Sequence, residues 1–294
     1  MRLDDYRTSD NVEEGRSGGG FGGFGGGGGG LGLLLGLVGS RFGIGGVAVV
    51  LIGAWLLGMF GGGGQRAVSP AQQQGTETAA QICSGSQERR FSCQVLASTE
   101  DTWGRIFQQS GARYTPTTLH FYSQSDQSGC GAAQSAMGPF YCPTDKRVYL
   151  DTDFYRELAQ RFGAAGDFAQ AYVIAHEVGH HVQDLQGRLD EAHNAQARAG
   201  EAEGNAIQVR VELQADCYAG VWAAANKDRL EQGDVEEGMR AAHQIGDDVL
   251  QQASQGRVVP ESFTHGTAEQ RMKWLRKGIE TGDPAQCDTF SGAI

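Results

Sequence analysis

The chain has 294 residues, 46 of them glycine, and a formal net charge of −11. An acidic chain without a basic stripe is a poor electrostatic match for nucleic acid. No Walker-type lysine or strand-flanked Gly-x-Gly-x-x-Gly offers a phosphate cradle, and the length beyond the glycine-rich start suffices for one well-buried domain.

Residues 1–41 read as a disordered, glycine-rich tail. Its charged lead has no apolar period and is followed by a nearly pure glycine tract, which cannot bury enough surface to offset its ordering entropy. Residues 42–64 contain no charged side chain and are long enough for a hydrocarbon core of about 30 Å, which predicts one transmembrane helix. Arg2, Arg7, Arg16 and Arg41 precede that stretch, whereas only Arg66 follows it closely. The positive-inside rule then leaves the N-terminus cytoplasmic and places the bulk of a single-pass membrane protein in the periplasm or outside the cell. A cleaved signal peptide is the competing reading, opposed by the long lead and the long apolar stretch. Residues 65–81 read as a flexible Gly/Gln/Ser/Thr linker, and residues 82–294 as the catalytic domain.

All six cysteines follow the apolar stretch, and none forms Cys-x-x-Cys. An even number on one side of a membrane suggests disulfides in an oxidising compartment. Close spacing favours Cys83–Cys93 and Cys130–Cys142, leaving Cys217–Cys287; other pairings and buried free thiols stay open.

Along the domain, residues 98–110 read as a helix and 117–123 as a strand in which His120 is a packing residue. A hairpin-like excursion is expected between Cys130 and Cys142, then a strand at 147–151 and a helix at 151–162. The main helix starts at Asp167 and stops at Gly187. Its apolar stripe is Phe168, Ala171, Tyr172, Ala175, Val178, Val182 and Leu185. Residues 188–205 form a polar excursion able to lie over a cleft. Helices are expected at 206–225 and 234–255. Thr267 and Gln270 form a capping-box pattern before a last helix.

The chemistry centres on H-E-V-G-H, starting at His176. On a helix, His176 and His180 lie one turn apart on the same face and can present two imidazoles to one metal ion. Glu177 then sits beside the metal, where a general base belongs. Such a site needs a third protein ligand and an open position for water. Glu212 can be that ligand, and Asp216, one turn further on, can accept the other ring N–H of a ligand histidine; two solvent-facing acids on a polar stripe are the competing reading. His265, on a turn before a helix, is a candidate to stabilise an oxyanion, with an exposed turn residue as the competing reading. His181 points about 100° away from His180 and is not expected to bind the same ion.

With H-E-V-G-H-H-V-Q from His176 and E-L-Q-A-D-C from Glu212, the chain resembles gluzincin-type enzymes, and more specifically a bacterial neutral zinc metallopeptidase family. The S-D-N-V-E segment from Ser9 and residues 263–270 share the resemblance. It implies an α+β, zincin-like fold with a small mixed sheet, an active-site helix and a mainly helical C-terminal half. It also implies Zn2+ on His176, His180 and Glu212. A metzincin would need glycine and histidine where Gln183 and Gln186 stand. The expected activity is zinc-dependent endopeptidase hydrolysis of a peptide or protein substrate, with Glu177 as general base. The alternatives are a zinc amidase acting on cell-envelope peptides and a non-catalytic, membrane-anchored zinc module.

Overall fold

The computed structural model describes residues 1–15 and 77–294. Helix formation begins before the expected domain boundary. Thr78 and Gln81 close a capping box around α1 (Ala79–Cys83), so the end of the expected linker belongs to the folded body. Ser86 then accepts the Arg89 amide and starts α2 (Gln87–Gln109), which extends the expected helix by three turns at its N-terminal end.

The strands are β1 (Val12–Glu14), β2 (Thr118–Phe121), β3 (Ser125–Ser128), β4 (Gly131–Gln134), β5 (Phe140–Cys142) and β6 (Arg147–Leu150). Four of them form one sheet in the order β1-β2-β6-β5. β1, β2 and β6 run parallel, and β5 returns antiparallel to β6 as an edge strand. The hairpin β3–β4 forms a separate ribbon just before and after Cys130, earlier than expected.

The helices that follow are α3 (Asp153–Gln160), α4 (Asp167–Leu185), α5 (Arg188–Gln196), α6 (Glu201–Ala225), α7 (Asp234–Gln244), α8 (Asp247–Gln255) and α9 (Ala268–Thr281). The polar excursion is therefore mostly the short helix α5. The capping box of Thr267 and Gln270 is present. The single helix expected over 234–255 is two helices. A side chain at Gly246 would lie 2.4 Å from the Ala268 backbone nitrogen, so the chain bends at a close crossing. Asp247 restarts the helix while its carboxylate accepts the backbone amides of Thr264, His265 and Gly266.

The fold is thus α+β, with a small mixed sheet and a mostly helical C-terminal half. All three favoured disulfides are formed: Cys83–Cys93, Cys130–Cys142 and Cys217–Cys287.

The start of the chain corrects the expectation of disorder. Residues 1–15 pack on the domain, with Met1, Leu3 and Ser9 buried and Val12 paired with Leu119. The anchors are polar as much as apolar. Glu100 on α2 accepts from Ser9, Asn11 and Arg7, and Arg7 also reaches Asp101 at 2.7 Å. The Met1 ammonium lies 2.7 Å from Asp167 at the first turn of α4. A charged lead without periodicity is ordered here because Arg7, Glu13 and Glu14 each meet a partner on the domain. Among the described residues no helix is long and apolar enough to cross a membrane. The expected span at 42–64, the glycine tract and most of the linker lie outside the described residues.

Candidate metal centre

Two helices build the site, and a glycine sets their separation. A side chain at Gly179 would lie 3.0 Å from the Ala215 carbonyl and 3.1 Å from its Cα. Gly179 is therefore more than a tolerated cost within the histidine motif: it lets α4 and α6 approach closely where their functional residues face each other. The next crossing is tighter still. A side chain at Gly278 would lie 2.9 Å from Gly220 Cα, and one at Gly220 would lie 2.8 Å from Gly278 Cα, which draws α9 against α6.

His176, His180 and Glu212 converge, with one potential ligand atom from each lying within 4.8 Å of the others. His176 Nε2 is 3.1 Å and His180 Nε2 is 3.4 Å from Glu212 Oε2. All three side chains are largely buried. The second carboxylate oxygen of Glu212 accepts from Gln208.

The opposite nitrogen of each imidazole is committed elsewhere. His176 Nδ1 lies 2.8 Å from Asp216 Oδ1, as expected for an orienting carboxylate. Asp216 is fully buried and is itself held by Arg271 Nε at 2.9 Å and by the Tyr172 hydroxyl at 2.6 Å. Burial opposes its charge, but Arg271 and His176 hold its carboxyl down at about 2. His180 Nδ1 lies 2.8 Å from Gln183 Oε1. Arg271, Tyr172 and Gln183 are not among the site residues that the sequence motifs single out. Tyr172 and Gln183 sit one turn from His176 and His180 on the same helix, so helical spacing could have suggested them. Arg271 reaches the site from α9 and left no local signal.

Glu177 is buried beside the two histidines. Desolvation raises its pKa, against the pull of His176 and His180, and the Tyr141 backbone N–H on β5 faces it. A carboxyl raised in this way moves toward the range useful for proton transfer at neutral pH. His265 is half-exposed, with Nδ1 2.9 Å from Thr264 Oγ1. Burial opposes the charge of Glu212, and His180 and then His265 pull its pKa down. His181 turns away, placing Nδ1 3.0 Å from the Tyr141 hydroxyl and Nε2 2.7 Å from the Thr115 carbonyl. His120 bridges Glu13 and Asp126, a packing role in the sheet.

The donor set fits a divalent cation. Two imidazole nitrogens and a carboxylate oxygen, with both remaining ring nitrogens hydrogen-bonded, match a three-ligand site with room for a fourth group. Burial disfavours imidazolium, yet Asp216 and Glu212 raise the pKa of His176, and Glu212 raises that of His180. Metal binding would compete with protons at both imidazoles. A second acidic cluster, Asp167, Asp234 and Glu237, has the Met1 ammonium against two of its members.

Comparison with known proteins agrees with this geometry. The profile of the family described as "Putative neutral zinc metallopeptidase" matches residues 1–290. The chain belongs to this family. It is similar to the uncharacterized protein YpfJ of Escherichia coli K12, 47% identical over 300 residues and covering 100% of both chains. It is also similar to the uncharacterized protein Rv2575 of Mycobacterium tuberculosis H37Rv, 43% identical over 228 residues, covering 72% of this chain and 75% of the relative. No solved structure matches it.

Proposed function

We propose that this member of the zinc metallopeptidase family is a zinc-dependent endopeptidase with a zincin-like active site. The observation that carries the reading is the pairing of committed and free nitrogens. Asp216 and Gln183 engage the Nδ1 atoms of His176 and His180, and both Nε2 atoms face Glu212 beside a buried Glu177. His176, His180 and Glu212 would hold the zinc. A bound zinc ion would supply Lewis acidity toward the scissile carbonyl and lower the pKa of a water molecule.

Glu177 takes a proton from the attacking water and delivers it to the leaving amine nitrogen. Its burial favours the first step by keeping its proton affinity above that of an ordinary carboxylate, and the strongly basic leaving amine draws the proton off in the second. Asp216 and Gln183 hold the imidazole rings in orientation. Arg271 balances the buried charge of Asp216, and His265 can donate a hydrogen bond toward developing negative charge on the carbonyl oxygen. The edge strand β5, whose Tyr141 amide faces Glu177, suits an extended peptide bound by strand addition.

The location we propose is an oxidising compartment. Three disulfides and the lack of any free cysteine support it. Pairing of β1 with β2 argues against one membrane crossing at 42–64. A single crossing would separate residues 1–15 from the domain they pack on. We therefore infer that residues 1–15 and 77–294 share one side of any membrane.

A peptide-library cleavage screen of the zinc-loaded chain, run beside Glu177→Gln, tests the activity. The expected result is cleavage by the wild type and a rate loss on the order of 10²–10⁴-fold in the variant. Undiminished cleavage by the variant would remove Glu177 from its role. No cleavage by a zinc-loaded wild type would favour a binding module.

A further inference from the structure

A chain of hydrogen bonds runs from His180 away from the cleft and ends beside a disulfide. His180 Nδ1 meets Gln183 Oε1 at 2.8 Å. Gln183 Nε2 donates to the Val211 carbonyl at 2.8 Å and to Gln214 Oε1 at 3.1 Å. Gln214 Nε2 donates to the Cys287 carbonyl at 2.9 Å. Gln183 is 0% exposed and Gln214 5%, and both sulfurs of Cys217–Cys287 belong to fully buried residues.

The direction of the whole chain follows from its fixed end. A backbone carbonyl only accepts, so Gln214 must turn its NH2 group to Cys287 and its oxygen to Gln183. The Val211 carbonyl imposes the same orientation on Gln183. Gln183 is left with only an oxygen to offer His180, so Nδ1 of His180 carries the proton. The lone pair is then on Nε2, the nitrogen that faces Glu212. The backbone alone thereby selects one imidazole tautomer through two buried amides.

We propose that Gln183 and Gln214 are positioning residues for the second metal ligand, with the Cys217–Cys287 disulfide clamping the far end of their relay. This rests on the metal-site reading above. The clamp is local: Cys217 directly follows Asp216 on α6, and the disulfide ties the C-terminal segment to that helix. The same segment is held again where Thr289 Oγ1 donates to the Arg210 carbonyl. Opening the disulfide would free the Cys287 carbonyl to move, and Gln214 would lose the partner that fixes its orientation. Formation of this bond in an oxidising compartment would complete the orientation of a metal ligand.

The test is zinc affinity measured by chelator competition on the full chain, together with the melting temperature of each metal-free protein. The variants are Gln183→Met, Gln183→Glu, Gln214→Met and the double Cys217→Ala/Cys287→Ala. Removing an outer-shell partner of a ligand histidine costs about 10–100-fold in metal affinity. Gln183→Met should show a loss in that range. Gln214→Met and the disulfide-free double variant act through Gln183 and should show a smaller loss than Gln183→Met. Gln183→Glu keeps an acceptor on His180 while losing the donor to the Val211 carbonyl and Gln214, so it should lose less zinc affinity than Gln183→Met.

A merely structural role would lower the metal-free melting temperature while leaving zinc affinity unchanged. Unchanged affinity in folded Gln183→Met overturns the relay. Equal loss in Gln183→Met and Gln183→Glu does the same, because the acceptor would then be irrelevant. If Gln183→Met fails to fold, Gln214→Met decides the relay by the same criterion. Wild-type affinity in the double variant overturns the clamp. A wild-type chain that takes up no zinc refutes the metal-site reading itself, an outcome visible before any variant is measured.

Discussion

The two histidines of the metal centre are held by different physics. On the His176 side the partner is ionic: Asp216, fully buried, is balanced by Arg271 from α9 and by the Tyr172 hydroxyl. On the His180 side the partners are neutral amides ending on a backbone carbonyl. A buried carboxylate raises the basicity of the imidazole it touches, but it brings a desolvation cost that its own cation must offset. A neutral relay orients the ring without that cost and without comparable electrostatic gain. The His176 side is thus expected to govern both stability and metal affinity, whereas the His180 side should act mainly through orientation.

The largest predicted effect breaks the ionic side. Asp216→Asn keeps the shape but leaves the buried Arg271 guanidinium without its anion, and losing one partner of a buried pair costs about 3–5 kcal/mol. Denaturant unfolding of the metal-free protein should show that loss. A change under about 1 kcal/mol would mean that the two sides are energetically alike.

Next is the crossing that carries Arg271 to the site. Gly278→Ala must push α9 away from α6, with an overpacking cost of about 1–3 kcal/mol, measurable by the same unfolding experiment. Gly179→Ala tests the frame shared by both sides. Its new methyl group would press on the Ala215 backbone, moving Glu212 relative to both histidines. Zinc affinity should fall by roughly tenfold, comparable to loss of an outer-shell contact. Chelator competition would reveal it, and an unaltered affinity would show that the helices yield without disturbing the ligands.

The smallest effect lies outside the centre and serves as its control. Desolvation opposes the charge of Asp101, but hydrogen bonds from Arg7 and Tyr6 lower its folded pKa below the ordinary 3.8. The sign follows by linkage. Its contribution to docking residues 1–15 is present above 3.8 and is lost as pH falls through the lower folded value. Hydrogen exchange between about pH 5 and about pH 2 should show residues 1–15 loosening in acid. Release on raising the pH instead would contradict this ion pair.

This contrast also explains what could be read in advance. The site was legible where function is written at helical spacing: His176 with His180, and Glu212 with Asp216, each pair one turn apart. Its neutral partner Gln183 lies at the same kind of spacing from His180 but carries no charge to mark it. Arg271 was not legible, because its partner Asp216 is on another helix and an arginine usually reads as surface. The fold shows the same division. The capping box at Thr267 could be read from four residues. The break at Gly246 could not, since its cause is the Ala268 backbone of another helix. β1 was not legible because three residues carry no periodicity and their order comes from Leu119, His120 and Phe121, more than 100 residues away.

The third ligand is the most direct test of the centre, since Glu212 joins the two histidines into one site. Zinc per chain should be measured for the wild type and Glu212→Ala after dialysis against metal-free buffer. The account predicts about one zinc in the wild type and little or none in the variant, with the variant still folded. Full zinc retention by Glu212→Ala, or a wild type that retains none, would contradict it.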